Sequence, residues 1–229
     1  MDFKTATLIS KNVPAAKYHD LVFETPEPFV FEAGQFVTLK INDKKMNAYS
    51  IAGKVDNNKF GLLIDTTPGG LGSQMIEKIQ VGDQVSFIGP NGHMILKNDD
   101  SEEIIFMAVG CGIAPIKALL EKALKENKWT KPMTLYFGVR FPRDIFWDKY
   151  FNDLQTEYSN FKFVLCLSKP DSSWTGVSGH ITEILKTEKG DLSKASAYIC
   201  GNEKMTDEAV EILKSKHCPE QRIYFEKYG

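Results

Sequence analysis

Residues 104–124 of this 229-residue chain read IIFMAVGCGIAPIKALLEKAL. The apolar run over residues 104–109 is short and partly β-branched, which predicts a strand buried on both faces. Gly110 and Gly112 follow it, and over residues 114–124 apolar side chains recur at helical spacing with Lys and Glu between them. The stretch therefore predicts a strand, a glycine turn and a helix in direct succession.

The turn in this stretch has the chemistry of a phosphate site. Its two glycines allow a sharp turn and leave no Cβ in front of the helix N-terminus, and Pro115 suits the first helical turn, where a missing N–H costs nothing. Free amides and the positive end of the helix dipole then face outward, which favours a pyrophosphate. A strand-to-helix turn without a ligand is the alternative, because Pro115 stands where the third glycine of a G-x-G-x-x-G pattern would be.

Length and composition set broad limits. The chain is long enough for one large domain or two smaller ones, and its composition is that of an ordinary globular protein. Lys and Arg total 28 against 30 for Asp and Glu, a net charge of −2, so nucleic acid is not expected as the main partner. The first residues contain no long apolar run, so we expect neither a signal peptide nor a membrane span.

The spacing of cysteine and histidine argues against a metal site. The cysteines lie far apart and form no C-x-x-C pair, so an iron–sulfur or zinc cluster with consecutive ligands is not expected. The histidines are equally scattered. Thiols used in this way indicate the reducing cytoplasm. The residues concerned are Cys111, Cys166, Cys200, Cys218, His19, His93, His180 and His217.

Residues 1–99 are predicted to form a first domain of short strands separated by Gly, Pro, Asn and Asp. Six short strands at this spacing predict a small antiparallel β-barrel. Within this half only residues 71–79 have a helical pattern. The predicted strands cover residues 5–10, 19–24, 35–41, 49–52, 59–65 and 84–88.

Residues 100–229 are predicted to form a second domain in which strands and helices alternate. That alternation predicts a Rossmann-like, doubly wound parallel sheet whose ligands bind at the carboxyl ends of the strands, giving a two-domain β plus α/β protein. The boundary is placed in the polar, acidic run at residues 98–103. Beyond residue 124 we predict strands at 133–138, 161–167, 197–201 and 221–225, and helices at 144–157, 181–186 and 205–216.

Two segments of the first domain carry more chemistry than a barrel requires. Tyr49 and Ser50, at a strand edge, could stack on a flat ring and hydrogen-bond to its edge. The glycine-rich segment 67–75 leads into a short helix with Ser73 at its start, which offers further amides to a phosphate. The alternatives without a ligand are that Tyr49 and Ser50 are a half-buried pair of strand residues and that segment 67–75 is a loop with a helix N-cap.

The order of these segments resembles that of the ferredoxin–NADP reductase superfamily, which are flavin-dependent NAD(P)H oxidoreductases, here without an iron–sulfur domain. Residues 47–50 (NAYS) are similar to the family's Arg-x-Tyr-Ser, and residues 70–73 (GLGS) to its Gly-x-x-Ser/Thr segment. Asn47 stands where the family has an arginine that holds a flavin phosphate. Because an amide carries no charge, the choice between FAD and FMN stays open, with FAD expected.

The second domain carries the remaining family motifs. Residues 110–115 (GCGIAP) resemble the pyrophosphate turn, residues 200–202 (CGN) the family's Cys-Gly-Pro, and residues 225–229 (FEKYG) the ending whose aromatic ring covers the flavin. The resemblance implies that Ser50, Cys200 and Glu226 are catalytic. It implies flavin contacts from Asn47, Ala48, Tyr49, Ser50, Gly70, Leu71, Gly72, Ser73 and Tyr228. It implies NAD(P) contacts from Gly110, Gly112, Ile113, Pro115, Arg140, Ser168, Lys169, Cys200, Gly201, Asn202 and Met205.

The resemblance implies an enzyme in which hydride passes from NAD(P)H to bound FAD. Electrons would then go to a separate acceptor such as ferredoxin, flavodoxin or an oxygenase component. A free-standing flavin or quinone reductase is the alternative, and a non-catalytic flavin- or nucleotide-binding regulatory module is a third. The joint occurrence of Ser50, Cys200 and Glu226 argues against the third.

Charges at the strand ends bear on the choice of donor. An NAD site would place an acidic residue at the end of the second strand to bind the ribose 2′-hydroxyl. Here Arg140 and Arg143 follow that strand, and Lys169 follows the third. Positive charge favours a 2′-phosphate, so we expect NADPH rather than NADH, in a cytoplasmic monomer.

Overall fold

A six-stranded closed barrel and a six-stranded parallel sheet make up the computed structural model, which describes residues 2–228. Met1 and Gly229, the outer ends of the two predicted domains, lie outside the described residues. The barrel comes first in the chain and the parallel sheet second, so the fold class predicted from the sequence is confirmed.

The barrel strands are antiparallel and follow the order β1-β2-β5-β4-β3-β6. Alternate residues of β2 and β3 are buried because successive side chains of a strand face opposite sides. Phe23, Phe29, Phe60 and Phe87 fill the interior, with ring centroids 5.1 to 5.8 Å apart in the contacting pairs. The elements are β1 Lys4–Ala15, β2 Tyr18–Glu24, β3 Phe36–Asn42, β4 Lys45–Asp56, β5 Lys59–Asp65, α1 Leu71–Lys78 and β6 Gln84–Asn91.

The second domain is an all-parallel sheet in the order β10-β9-β8-β7-β11-β12. Its central strands are buried almost throughout, since helices cover both faces. Within residues 2–228 no helix has the length and apolar character needed to cross a membrane. The elements are β7 Glu103–Val109, α2 Ile113–Glu121, β8 Met133–Val139, α3 Asp148–Glu157, β9 Phe161–Leu167, β10 Val177–Ser178, α4 Ile181–Glu188, β11 Ala195–Asn202, α5 Glu203–Ser215 and β12 Ile223–Tyr228.

One predicted helix begins later than the sequence pattern indicates. The prediction over residues 144–157 is wrong at its start, because α3 begins at Asp148. Asp144 lies in a separate 3-10 turn, where its carboxylate accepts a hydrogen bond from the Phe141 amide at 3.1 Å. Trp147 then takes a left-handed conformation, with φ of 57°, which prevents the helix from starting earlier.

The two domains pack through α2 and β4. The Lys117 ammonium donates a hydrogen bond to the Ala52 carbonyl at 3.3 Å and pairs with Glu121 at 3.0 Å. Ala15 and Leu63 of the barrel join the hydrophobic cluster that covers this face of the parallel sheet. The barrel is therefore held against the sheet by a continuous core as well as by polar contacts.

The segment between β6 and β7 is attached to the second domain. The Lys97 amide donates to the Tyr198 hydroxyl at 2.8 Å, and the Ser196 hydroxyl donates to the Asp99 carboxylate at 2.6 Å. The predicted domain boundary, between residues 99 and 100, falls in this segment.

Candidate functional site

The barrel meets the carboxyl ends of the parallel strands at a junction that we call the interdomain cleft. In a parallel sheet the loops that follow the strands gather at one edge, and here that edge faces the barrel. The cleft residues of the barrel are Tyr18, Phe36, Tyr49, Ser50 and Gly92. Those of the second domain are Gly110, Cys111, Cys200, Glu226 and Tyr228.

The predicted strand, turn and helix are present at the centre of the cleft. The turn at Gly110–Gly112 joins β7 to α2, and Pro115 lies in the first turn of α2. Gly110 has a φ of +50°, and a Cβ there would lie 3.1 Å from the Tyr18 hydroxyl and 3.2 Å from the Tyr228 hydroxyl. A larger residue at this position would therefore be strained and crowded.

Gly112 serves a different purpose from the one the sequence indicates. A Cβ on Gly112 would lie 2.2 Å from the Cys200 carbonyl oxygen, which no real contact allows. The glycine lets the turn pack directly on β11, so its absent Cβ is required by packing between elements and not by open space for a ligand.

Phe36 brings Ser50 and Glu226 to the same end of the cleft. On β3, Phe36 pairs with Ser50 of β4 on one side and Asn91 of β6 on the other. A Cβ on Gly92 would lie 3.0 Å from the Phe36 ring and 3.1 Å from Glu226 Oε1. A barrel hydroxyl and a carboxyl of the last strand thus flank one aromatic ring.

Cys200 and Glu226 are direct neighbours on adjacent strands. The register of β11 and β12 pairs them. Cys200 is 3% exposed, and burial, followed by the charges of Glu226 and Cys111, raises the pKa of its thiol well above the usual value. Burial also raises the pKa of the Glu226 carboxyl to about 7, with no hydrogen bond or charge within residues 2–228 to offset it. Glu226 therefore exchanges a proton near neutral pH.

A second group of site residues, the barrel cradle, consists of Asn47, Tyr49, Gly72 and Ser73. Gly70 is the N-cap of α1, and Ser73 is buried in its first turn. Asn47 Nδ2 donates to the Tyr49 hydroxyl at 3.2 Å, and a Cβ on Gly72 would lie 2.3 Å from that nitrogen and 2.7 Å from that oxygen. The start of α1 is thus pressed onto β4, and every member of the cradle is uncharged.

A third group, the basic edge, consists of Arg140, Arg143, Ser168 and Lys169 at the ends of β8 and β9. The Lys169 amide donates to the Arg140 carbonyl at 2.8 Å, which holds the two strand ends together. The Arg140 and Arg143 guanidinium groups lie 5.3 and 4.6 Å from the centre of the Phe141 ring. All three cations are exposed, and none pairs with a carboxylate within the described chain.

Residues 200–202 fix the start of α5. Asn202 Oδ1 accepts a hydrogen bond from the Met205 amide at 3.0 Å, which caps the helix. A Cβ on Gly201 would lie 2.1 Å from the Met205 methyl carbon. Asn202, in place of the family's proline, therefore supplies a cap that proline cannot.

Comparisons with known proteins identify both domains. A family model described as an oxidoreductase FAD-binding domain matches residues 4–95. A second, described as an oxidoreductase NAD-binding domain, matches residues 106–211. Between them the two matches cover most of the chain.

Relatives and solved structures agree with these matches. The reductase component of propane 2-monooxygenase from Rhodococcus jostii is 28% identical over 211 residues, which are 89% of this chain and 57% of that protein. An Amycolatopsis cytochrome P450 reductase has a TM-score of 0.89 at 27% identity, over 99% of this chain and 69% of that one. A ferredoxin NADP⁺ reductase from Neisseria gonorrhoeae, solved with FAD and NADP, shares the fold over 99% of both chains, with a TM-score of 0.86 at 22% identity.

The chain thus contains an oxidoreductase FAD-binding domain and an oxidoreductase NAD-binding domain, in the fold of the ferredoxin–NADP reductase-like proteins. The predicted flavin-binding and NAD(P)-binding oxidoreductase domains are therefore confirmed. The chain spans about 60% of the length of the curated relatives that it matches.

The side chains and amides of the cleft have chemistry that suits two nucleotides. Glu226 is a half-buried carboxyl without a partner among residues 2–228, which suits a site that a ligand completes. The cradle offers the first-turn amides of α1 with no side chain at Gly72, together with the Asn47 amide, which suits a phosphate but supplies no charge. Within residues 2–228 no three His, Cys, Asp or Glu side chains are grouped to hold a metal ion.

Three of the residues predicted to bind cofactor have side chains that face away from the cradle or lie in the core. Ala48 is exposed and alternates with Tyr49 along β4, so its side chain faces away from the cradle. Ile113 is fully buried in the core beneath the turn, and Met205 is 8% exposed. Their roles as nucleotide contacts stay predictions.

Sequence reasoning missed Tyr18, Phe36, Gly92 and Cys111 as cleft residues. Cys111 lies inside the predicted turn, and its thiol sits beside the Tyr228 hydroxyl, where burial raises its pKa to about 11. Tyr18 carries no local signal, because an aromatic residue at a strand start is an ordinary barrel feature. Phe36 and Gly92 lie in segments 33–36 and 89–92, which resemble family segments but indicate no role in the site.

Proposed function

We propose that the chain is the reductase part of an electron-transfer system, taking hydride from NADPH into bound FAD and passing the electrons to a separate acceptor. The observation that carries this proposal is the convergence of Ser50, Cys200 and Glu226 in a chain with FAD-binding and NAD-binding domains. Two come from the second domain and one from the barrel, so the reacting rings would meet where the domains meet.

The three residues have separate roles in this proposal. Ser50 donates a hydrogen bond to the reacting edge of the flavin. Cys200 and Glu226 border the nicotinamide, and Glu226 Oε1 holds or releases one proton near neutral pH. When bound, FAD supplies an electron-poor ring that accepts the hydride, and the chain's own task is to align two flat rings and exclude water.

The flavin is held from the barrel side. Tyr49 packs against its ring, Tyr228 covers the opposite face, and the first turn of α1 holds its phosphates with help from Asn47. The backbone of Ala48, Gly70 and Leu71 completes this contact. The absence of charge in the cradle leads us to expect FAD that is lost more readily than in relatives with the family arginine.

The nucleotide donor lies across the strand ends of the second domain. Its pyrophosphate faces the turn at 110–112 and the start of α2, and its 2′-phosphate faces the basic edge. Support for NADPH comes from three exposed cations that lack a carboxylate partner in the described chain.

The acceptor proposed is a ferredoxin, a flavodoxin or an oxygenase component. The support is that several relatives are named as reductase components of oxygenase systems. Four free thiols support a reducing cytoplasm as the location. We further propose that the two domains divide at residues 99 and 100 and that the protein is a monomer.

The experiment is to purify the chain, release its cofactor by denaturation and separate it by chromatography, then titrate the native protein with NADPH without oxygen. FAD and bleaching of its visible absorption are expected. Oxidised ferredoxin, flavodoxin, free flavin and a quinone are then compared as acceptors. A purified protein that contains no flavin and does not bind added FAD would contradict the proposal. Preference for free flavin or quinone would favour a free-standing reductase.

A further inference from the structure

In the proposed complex the nicotinamide lies where the structure has the Tyr228 ring. Tyr228 and Glu226 share one face of β12, because alternate residues of a strand point the same way. The Tyr228 hydroxyl donates to the Val109 carbonyl at 2.6 Å and lies beside the Cys111 thiol. A nicotinamide beside Glu226 must therefore displace this ring and leave the Val109 carbonyl without its donor.

Tyr18 forms the opposite wall of that space and comes from the other domain. Its ring lies 4.5 Å from that of Phe146, which anchors it on the second domain. Its hydroxyl lies 3.1 Å from the Cβ position of Gly110, and the Tyr228 hydroxyl lies 3.2 Å from the same point. The Tyr18 hydroxyl has no hydrogen-bond partner in the part of the chain that the structure describes, and burial with nearby acidic groups keeps its pKa raised, so it stays a neutral donor.

The polar groups left around the space match a carboxamide. Nicotinamide is one six-membered aromatic ring with a C(=O)NH₂ substituent, which both donates and accepts hydrogen bonds. Tyr228 is also one six-membered ring with a donor, which it gives to the Val109 carbonyl. Once it leaves, the Val109 carbonyl can accept a hydrogen bond and the Tyr18 hydroxyl can donate one, beside the Cys111 thiol and the Glu226 carboxyl.

We propose that Tyr18 is a nicotinamide-binding residue, whose hydroxyl donates to the carboxamide oxygen while the Val109 carbonyl accepts from the carboxamide nitrogen. This inference rests on the proposed function and deepens it. Tyr228 is then a placeholder for the nicotinamide, and Tyr18 is the fixed group that recognises the ring replacing it.

The test compares two ligands on FAD-loaded protein by calorimetry. One is NADP⁺, and the other is ADP-ribose 2′-phosphate, which carries every group of NADP⁺ except the nicotinamide. The Tyr228→Ala variant opens the site and should bind NADP⁺ more tightly than the native chain. Adding Tyr18→Phe should weaken NADP⁺ binding by about 3- to 10-fold, the loss of one uncharged hydrogen bond, and leave the fragment's affinity unchanged.

Tyr224→Phe is the matched control. Tyr224 lies on the same strand as Tyr228 but stacks on Tyr198, with ring centroids 4.9 Å apart, towards the opposite end of the sheet. In the Tyr228→Ala background, this change should affect neither ligand. In the native background, Tyr18→Phe should also slow flavin reduction by NADPH by a similar factor.

Each remaining outcome overturns the inference. Unchanged NADP⁺ affinity after Tyr18→Phe in the open variant would show that the hydroxyl does not contact the ligand. Equal weakening of both ligands would show a structural role for Tyr18. A native protein that binds neither FAD nor NADP⁺ would instead overturn the proposed function, and this inference with it.

Discussion

The barrel cradle and the basic edge both face phosphate groups in the proposed complex, but they are built differently. The cradle offers helix amides, an asparagine and a tyrosine hydroxyl, all uncharged and packed closely together. The basic edge offers three exposed cations with no carboxylate partner within residues 2–228. Neutral donors fix a ligand by geometry, whereas exposed charges act over distance and are screened by salt. The flavin should thus be positioned but weakly retained, and the nucleotide selected by charge.

The largest expected effect lies where the two regions meet. Ser50→Ala, Cys200→Ser and Glu226→Gln should each slow flavin reduction by NADPH about 10²–10³-fold, because each removes a contact aligned with the reacting rings. Stopped-flow reduction without oxygen isolates this step from the acceptor.

Flavin content should stay near the native value in all three variants, and so should the melting temperature of Ser50→Ala and Cys200→Ser. Ser178→Ala, on the short exposed strand β10, is the matched control and should reduce at the native rate. Native rates in all three test variants would show that the catalytic assignment is wrong even though the family is correct.

Adding charge to the cradle should remove its difference from the basic edge. Asn47→Arg should hold FAD more tightly by roughly 1.5–3 kcal/mol, the contribution of a hydrogen bond to a charged group. The measurement is the FAD dissociation constant after reconstitution of the flavin-free protein. Asn42→Arg adds the same charge at the exposed end of β3 and should have no effect. An equal gain in FAD affinity in both variants would show only a general attraction of the added positive charge for the anionic FAD.

Removing charge from the basic edge should erode the choice of donor. Arg140→Ala and Lys169→Ala should each lower the preference for NADPH over NADH in kcat/KM by about 3- to 10-fold, since exposed ion pairs are modest. The change should come mainly from a lower kcat/KM with NADPH. Lys162→Ala, also exposed on β9 but paired with Glu188, is the control. A preference that survives both test variants would place the 2′-phosphate elsewhere.

The smallest effect is a pH dependence of stability. Burial raises the pKa of Glu226 from 4.5 to about 7, so the folded protein binds this proton more tightly than the unfolded chain does. Stability should therefore fall as pH rises from 4.5 to about 7, and Glu226→Gln should lack this component. The Tm of Glu226→Gln should exceed the native Tm by an amount that grows over this pH range to roughly a few degrees. Parallel pH profiles would contradict the burial of the carboxyl.

Sequence reasoning succeeded where the signal is local. The strand, turn and helix at residues 104–124 follow from periodicity and two glycines. It failed at residues 144–147, because the left-handed conformation of Trp147 has no sequence signature. It also gave the wrong reason for Gly112, since the neighbouring Cys200 carbonyl comes from a distant strand.

Contacts between the domains were beyond the reach of sequence patterns. Tyr18 approaches Gly110, and Gly92 approaches Glu226, only because α2 packs on β4 and so fixes the barrel against the strand ends. Family motifs supplied Ser50, Cys200 and Glu226. They could not supply Tyr18, which lies outside every motif.

The most direct test of the contrast between cradle and basic edge is the salt dependence of two affinities in one protein. FAD binding to the flavin-free chain and NADP⁺ binding to the FAD-loaded chain are measured by calorimetry over a series of salt concentrations. If the account is right, NADP⁺ affinity falls steeply with salt while FAD affinity changes little. A parallel fall of both would reveal a cation at the flavin phosphate and contradict the uncharged cradle.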